Sequence, residues 1–187
     1  MSVVSAVVPW TTDAFLDWQA EQDDRYELVD GFPLKMMTGA TRRHDLVVVN
    51  ILVALRIRLR NGPCIPFTAD GAVETRPGQI RRPDVGVDCG PTDPDARIAS
   101  EPTVVFEVLS PSTRDFDRLR KIGEYKSMPL LRHIVLMEPD RSHAVVWSRI
   151  ERADWEEHTL EGMEAVLPLP GIAIELRLDE LYEGVLA

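Results

Sequence analysis

Two stretches decide the fold: Arg82-Pro83-Asp84-Val85-Gly86-Val87 and Val104-Val105-Phe106-Glu107-Val108-Leu109-Ser110-Pro111-Ser112-Thr113. Each sets one acid in an apolar, β-branched run that reads as a buried strand. An isolated carboxylate in such a strand carries a heavy desolvation penalty. Asp84 and Glu107 therefore call for a cationic partner, most economically one shared metal ion. Side chains alternate across a strand, so Glu107 and Leu109 point one way and Val108 the other.

Downstream, Ser112 or Thr113 is a good N-cap for a helix, and Asp117, Lys121 and Tyr125 recur every four positions on one of its faces. Phe116, Leu119 and Ile122 are left for the packed side. Lys121 can then look back toward the carboxylates. Upstream, Thr11 or Thr12 caps a short helix in which Phe15 and Trp18 share a face. Arg25 to Val29 and Phe32 to Met37 flank Asp30-Gly31, the dipeptide a type I′ hairpin turn prefers because both central residues need positive φ.

From Thr41 or Arg42 to Arg60, Leu46, Val49, Ile51, Leu52, Val53, Leu55 and Ile57 fit a long helix ended by Asn61-Gly62-Pro63. Cys64 to Thr68 and Gly71 to Arg76 are strand material, and Pro77-Gly78 turns the chain into the strand holding Asp84. Cys89 to Pro102 is a polar, proline-bearing surface loop and the segment expected to be most mobile. His133 to Glu138 and His143 to Trp147 form a second hairpin around Pro139-Asp140. Trp155 to Leu160 and Ile172 to Leu176 are short strands, and Leu178 to Val185 a terminal helix. Helix, strands, helix, strand in this order place the acids on a mixed sheet with helices packed against it.

Composition limits the alternatives. The 187 residues can bury one substantial core, and length favours a single domain over 1–187, with residues 1–10 as a flexible tail. No apolar run approaches the roughly 20 residues of a membrane span, and Met1 to Pro9 lacks the basic residues and apolar core of a signal peptide. A cytoplasmic protein without a membrane partner is expected. Cys64 and Cys89 lack the paired spacing of a zinc site and read as reduced, partly buried thiols.

A net charge of −10 argues against a general nucleic-acid coat. Most of it, however, lies in Ile150 to Ala187, where ten acids face Arg152 and Arg177. Arg114 to Arg132 carries a local +3 that suits either a phosphate-facing rim or an ordinary solvated helix face. Ser110 and Ser112 lack the Gly-x-Ser-x-Gly context of a serine hydrolase, and there is no Gly-rich nucleotide loop.

Pro83-Asp84, then Glu107 and a downstream lysine resemble the metal site of the PD-(D/E)xK nuclease superfamily. More closely, the succession Arg25-Tyr26-Glu27-Leu28-Val29-Asp30-Gly31, His44, Pro83-Asp84-Val85, Glu107 to Thr113, Asp117, Lys121, Tyr125, Pro139-Asp140 and Tyr182-Glu183-Gly184 resembles the Uma family of restriction-endonuclease-like proteins. It covers nearly the whole chain. The resemblance implies an α/β, restriction-endonuclease-like core elaborated by an N-terminal hairpin and C-terminal strands. It also implies a metal-dependent endonuclease acting on DNA as a homodimer.

Asp84 and Glu107, with the Val108 carbonyl, would hold Mg²⁺ or Mn²⁺ through hard oxygen ligands. Leu109 stands where nucleases of the superfamily usually carry their lysine, and the resemblance implies that Lys121 takes over from the helix. Glu27 is suggested as a further site acid, with a surface acid on an edge strand as the alternative. His44 could bind metal, hydrogen-bond a ligating carboxylate, or only cap its helix. Asp117 and Tyr125 would support Lys121, although a tyrosine here is more often a packing residue. The competing reading is a non-catalytic homodimeric or nucleic-acid-binding module on the same fold. A zinc-type metallohydrolase is disfavoured because no histidine cluster is present.

Overall fold

In the computed structural model, which describes residues 8–36, 40–110, 116–151 and 154–186 (side chains of 116–118 excepted), the chain forms twelve strands and four α-helices among the described residues. Helix α1 (Thr12–Gln19) starts at Thr11, whose Oγ1 accepts from the Ala14 N–H at 3.3 Å. Strands β1 (Tyr26–Val29) and β2 (Phe32–Lys35) meet at the expected two-residue turn, with φ of 52° at Asp30 and 79° at Gly31. Helix α2 (Arg42–Leu59) follows, then β3 (Ile65–Thr68), β4 (Val73–Arg76), β5 (Gln79–Arg81), β6 (Val85–Asp88) and β7 (Pro102–Val108). Helix α3 (Phe116–Ser127) leads to β8 (His133–Met137), β9 (His143–Arg149) and β10 (Trp155–Glu161). Strands β11 (Val166–Leu169) and β12 (Ile174–Arg177) and helix α4 (Leu178–Leu181) end the described chain.

The central sheet has six strands in the order β10-β9-β8-β7-β6-β3, antiparallel except for the β7–β8 pair joined through α3. A parallel pair needs a crossover connection, and α3 supplies it. The sheet's central strands β6, β7 and β8 are buried on both faces, whereas the edge strand β10 is largely exposed. Val104, Phe106 and Val108 of β7 pack toward α2 and the C-terminal elements, in a cluster with Val47, Ile51 and Leu55. Val105 packs on the opposite face with Ile122, Tyr125 and Met128 of α3. Strand alternation therefore turns Glu107, between Phe106 and Val108, toward α3.

Several expectations need correction. The expected N-terminal hairpin is part of a larger unit: β1 pairs with β5 and β5 with β4, making a separate four-stranded sheet in the order β2-β1-β5-β4. Asp84 is consequently not inside a strand. It sits at the bend where the chain leaves β5 and enters β6, because Pro83 has no N–H to continue a ladder. In α2 the buried residues are Val47, Ile51, Ala54, Leu55 and Leu59, whereas Val49, Val53 and Ile57 face solvent. Leu119 of α3 is likewise exposed, and Ser112 and Thr113 lie outside the described residues.

At the end of the expected tail, the Trp10 N–H donates to the Gly31 carbonyl at 2.8 Å. The loop between β6 and β7 is pinned by the Asp88 carboxylate, which accepts from the N–H groups of Gly90, Ser100 and Glu101. Cys64 and Cys89 form a disulfide rather than standing as thiols. They flank the pair Ile65↔Asp88, so the β3–β6 register brings together residues that sequence spacing leaves unrelated. Strand β11, which Pro168 obscures in the sequence, pairs with β12.

Candidate active site

Five elements meet beside the C-terminal end of β7. The Asp84 Oδ2 accepts the Val108 N–H at 2.7 Å, so the bend before β6 is tied to the end of its neighbouring strand. His44, in the first turn of α2, faces the same oxygen, its Nε2 at 3.5 Å. Thr41 caps this helix through the His44 N–H at 3.3 Å, which fixes the turn that presents the imidazole. The Val108 carbonyl also interacts with His44. Val108 thus serves Asp84 and His44 through its two main-chain groups.

From the opposite side, α3 presents Lys121 and Tyr125 one turn apart. The Tyr125 hydroxyl donates to Glu107 Oε1 at 2.7 Å, and Lys121 Nζ lies 3.6 Å from the same oxygen. Lys121 also meets Glu27 Oε1, from β1, at 3.1 Å. Glu27 is therefore a buried partner of the lysine and not an edge-strand surface acid. Its other oxygen, Oε2, accepts from Arg81 Nη1 at 2.7 Å, and Arg81 reaches Glu124 of α3 through Nε at 2.6 Å and Nη2 at 2.9 Å. Gln79 joins this network, donating to Glu124 Oε1 at 2.9 Å and accepting the Asp30 N–H at 2.7 Å.

Arg81, Glu124 and Gln79 are absent from the sequence-level site. Arg81 carries only a weak signal, since Ile80-Arg81-Arg82-Pro83 is half arginine and does not mark which guanidinium is buried. Glu124 carries no such signal, because a helix glutamate is usually solvated. Asp117 lies in the first turn of α3, but its side chain falls outside the described residues. The basic rim is thinner than its charge count suggests. Arg120 is committed to Asp30 and Glu124, and Lys126 lies over the Trp147 ring.

The electrostatics are dominated by unequal compensation. Burial raises the pKa of Glu107, Lys121 opposes it, and the nearby Asp84 and Glu27 carboxylates add to the rise, leaving it at about 7. Burial works against the Lys121 ammonium too, but Glu107 and Glu27 more than offset this and keep it charged. Burial likewise pushes Glu27 up, and Lys121 and Arg81 pull it below its ordinary value. His44 is raised by its hydrogen bond to Asp84 against the effect of burial. The Tyr125 phenol, fully buried beside Glu107, stays protonated as a donor.

Asp84, Glu107 and the Val108 carbonyl are hard oxygen donors, and the Glu107 pKa is raised first by burial and then by the neighbouring Asp84 and Glu27 carboxylates. Such a set fits Mg²⁺ or Mn²⁺, which accept one or two carboxylates and keep several waters. Among the described residues no group of three or more His, Cys, Asp or Glu side chains is arranged to enclose an ion. Water would therefore have to complete the coordination.

Residues 12–179 match the sequence model of the Uma2 family, described as a putative restriction endonuclease. An uncharacterized protein of Synechocystis is 26% identical over 175 residues, spanning 92% of this chain and 91% of that protein. A crystal structure of a putative nuclease belonging to DUF820, from Anabaena variabilis, superposes with a TM-score of 0.73 over 95% of this chain and 99% of that one. At 18% sequence identity this last likeness shows the fold alone: an α/β, restriction-endonuclease-like architecture with a mixed sheet flanked by helices.

Proposed function

The chain belongs to the Uma2 family of restriction-endonuclease-like proteins, and from that membership and the geometry above we propose that it is a metal-dependent endonuclease hydrolysing DNA phosphodiester bonds. One observation carries the reading: Lys121 arrives from α3 at the Glu107 carboxylate, although Leu109 leaves the strand itself without a lysine. Asp84, Glu107 and the Val108 carbonyl would hold Mg²⁺ or Mn²⁺. When bound, such an ion activates water and neutralises charge on the phosphoryl oxygens.

The chain's own groups do the rest. Lys121 stabilises the negative charge that develops on the phosphoryl group. Tyr125 and Lys121 fix the Oε1 side of Glu107, His44 orients Asp84, and Glu27 holds Lys121. Arg42 and Arg43, exposed next to His44, make no ion pair among the described residues and are suited to phosphate contacts. A cytoplasmic location belongs to the same reading, with the Cys64–Cys89 disulfide as the observation that opposes it, and among the described residues no helix is long and apolar enough to cross a membrane.

A homodimer is also part of this proposal, supported by edge strands β2 and β10, the former exposing Phe32 and Leu34. Sedimentation showing only monomer at micromolar concentration would reject it. The activity is tested with wild type and Glu107→Ala on plasmid and single-stranded DNA in Mn²⁺ and Mg²⁺ at low salt, where phosphate contacts are least screened. Nicking by wild type alone is expected. Equal nicking by both would identify a contaminant. No nicking by either would favour the non-catalytic module, a reading consistent with every site charge finding a partner inside the chain.

A further inference from the structure

Arg81 closes β5 with no solvent exposure at all. A guanidinium stripped of water needs its donors matched, and the two carboxylates that match them come from different parts of the fold. Glu27 belongs to β1 in the small sheet. Glu124 belongs to α3, one turn beyond Lys121, and receives two donors of the Arg81 fork. Gln79 and Arg120 also donate to Glu124, but among the described residues Arg81 alone joins Glu124 to Glu27.

The consequence falls on Lys121. With Arg81 on Glu27 Oε2, the remaining oxygen Oε1 is turned to Lys121 Nζ at 3.1 Å and to the Arg82 N–H at 3.1 Å. With Arg81 also gripping Glu124, the rotation of α3 about its own axis is fixed where its residues 121 and 125 face Glu107. We propose that Arg81 is a positioning residue, whose guanidinium clamps Glu27 and α3 together and so holds Lys121 against Glu107. Among the described residues the Arg81 side chain hydrogen-bonds Glu27 and Glu124 rather than Lys121 or Glu107, and its own charge acts weakly against the Lys121 ammonium. The functional weight of this clamp rests on the nuclease reading; the clamp itself does not.

The chain has three lysines, Lys35, Lys121 and Lys126, so per-residue amine labelling by mass spectrometry can follow each one without ion or DNA. Lys126 lies on the same helix and Lys35 on the hairpin, and both serve as internal controls. In wild type Lys121, paired with two carboxylates, labels slowest. In Arg81→Met its rate rises on the order of tenfold relative to Lys126, the scale of losing one charge-assisted hydrogen bond. Glu124→Gln raises it in the same direction, and Arg81→Lys restores little because an ammonium cannot reproduce a two-carboxylate fork.

An unchanged Lys121 to Lys126 ratio in folded Arg81→Met would overturn the proposal. So would a parallel rise of all three lysines, which signals general loosening. If Arg81→Met fails to fold, the ratio in Glu124→Gln decides. A protein that cuts no DNA can still pass or fail this test, so its outcome is separate from that of the nuclease proposal.

Discussion

Lys121 and Glu107 face each other across the gap between α3 and β7, the ammonium 3.6 Å from Oε1, while Leu109 packs beside the α3-side core cluster. A charge delivered from a helix can act on a developing oxyanion as well as one delivered from a strand, provided it is held in place. Lys121→Ala is therefore expected to lower metal-dependent cleavage by about 10²- to 10³-fold. Lys121→Arg should recover little, since a planar guanidinium does not copy a compact ammonium. Initial nicking rates of the three proteins, measured alongside Glu107→Ala, check this; a Lys121→Ala enzyme as fast as wild type sinks it.

Ion binding between Asp84 and Glu107 should stabilise the fold by mass action. At a free concentration of about 100 Kd the gain is about 2.7 kcal/mol, visible as a higher Tm in Mg²⁺ or Mn²⁺. Asp84→Ala should erase that increment. It also strips the Val108 N–H of its acceptor, which lowers the baseline by roughly 1–3 kcal/mol. The quantity to compare is thus the metal-induced shift within each protein, and an undiminished shift in Asp84→Ala would place the ion elsewhere.

Gly86 follows Asp84 by two positions, and a Cβ there would lie 2.1 Å from Phe67 Cζ. The Phe67 ring packs against this glycine from the paired strand β3. Gly86→Ala should destabilise the protein by roughly 1–3 kcal/mol through overpacking. Urea midpoints give the value, and the pair Gly86→Ala/Phe67→Leu should recover part of the loss if the clash is with that ring.

His133, buried in β8, accepts the Gly171 N–H at Nε2 (3.0 Å) and places Nδ1 3.0 Å from Ser148 Oγ. Burial, with a smaller effect of Arg132, depresses its pKa from 6.5 to about 4. Between these values the unfolded chain takes up a proton that the folded chain refuses. The stabilisation is complete above the unfolded value and is lost as pH falls toward the folded one. Going from pH 7 to pH 5 should remove about 2 kcal/mol on this account. His133→Gln, which retains an acceptor for Gly171, should lose correspondingly less over the same interval in urea titrations; an equal loss in both proteins would contradict it.

The local order of elements was legible in the sequence because each depends on neighbours a few residues away. Asp30-Gly31 announces its turn, Thr11 or Thr12 the cap of the first helix, and the apolar run before Ser110 its strand, all through backbone preferences and side-chain periodicity. Asp84 and Glu107 stood out for a similar reason, since a charge among β-branched residues is costly wherever the strand ends up. Which apolar residues of α2 are buried was not legible, because Val49 and Val53 are as hydrophobic as Val47 and only the position of the sheet separates them.

The sequence by itself therefore determined the mixed sheet with its helices, the acids that need partners, and most of the elements, though not β11 or the break between β5 and β6. Only the tertiary structure decided who those partners are. The split into two sheets at Pro83 moved Asp84 to a bend, the β3–β6 register joined Cys64 to Cys89, and Arg81 became the link between Glu27 and Glu124. These are contacts between residues far apart along the chain. Their geometry is set by how the sheets and α3 pack, and nothing in the local preferences of a residue specifies which distant charge it will meet.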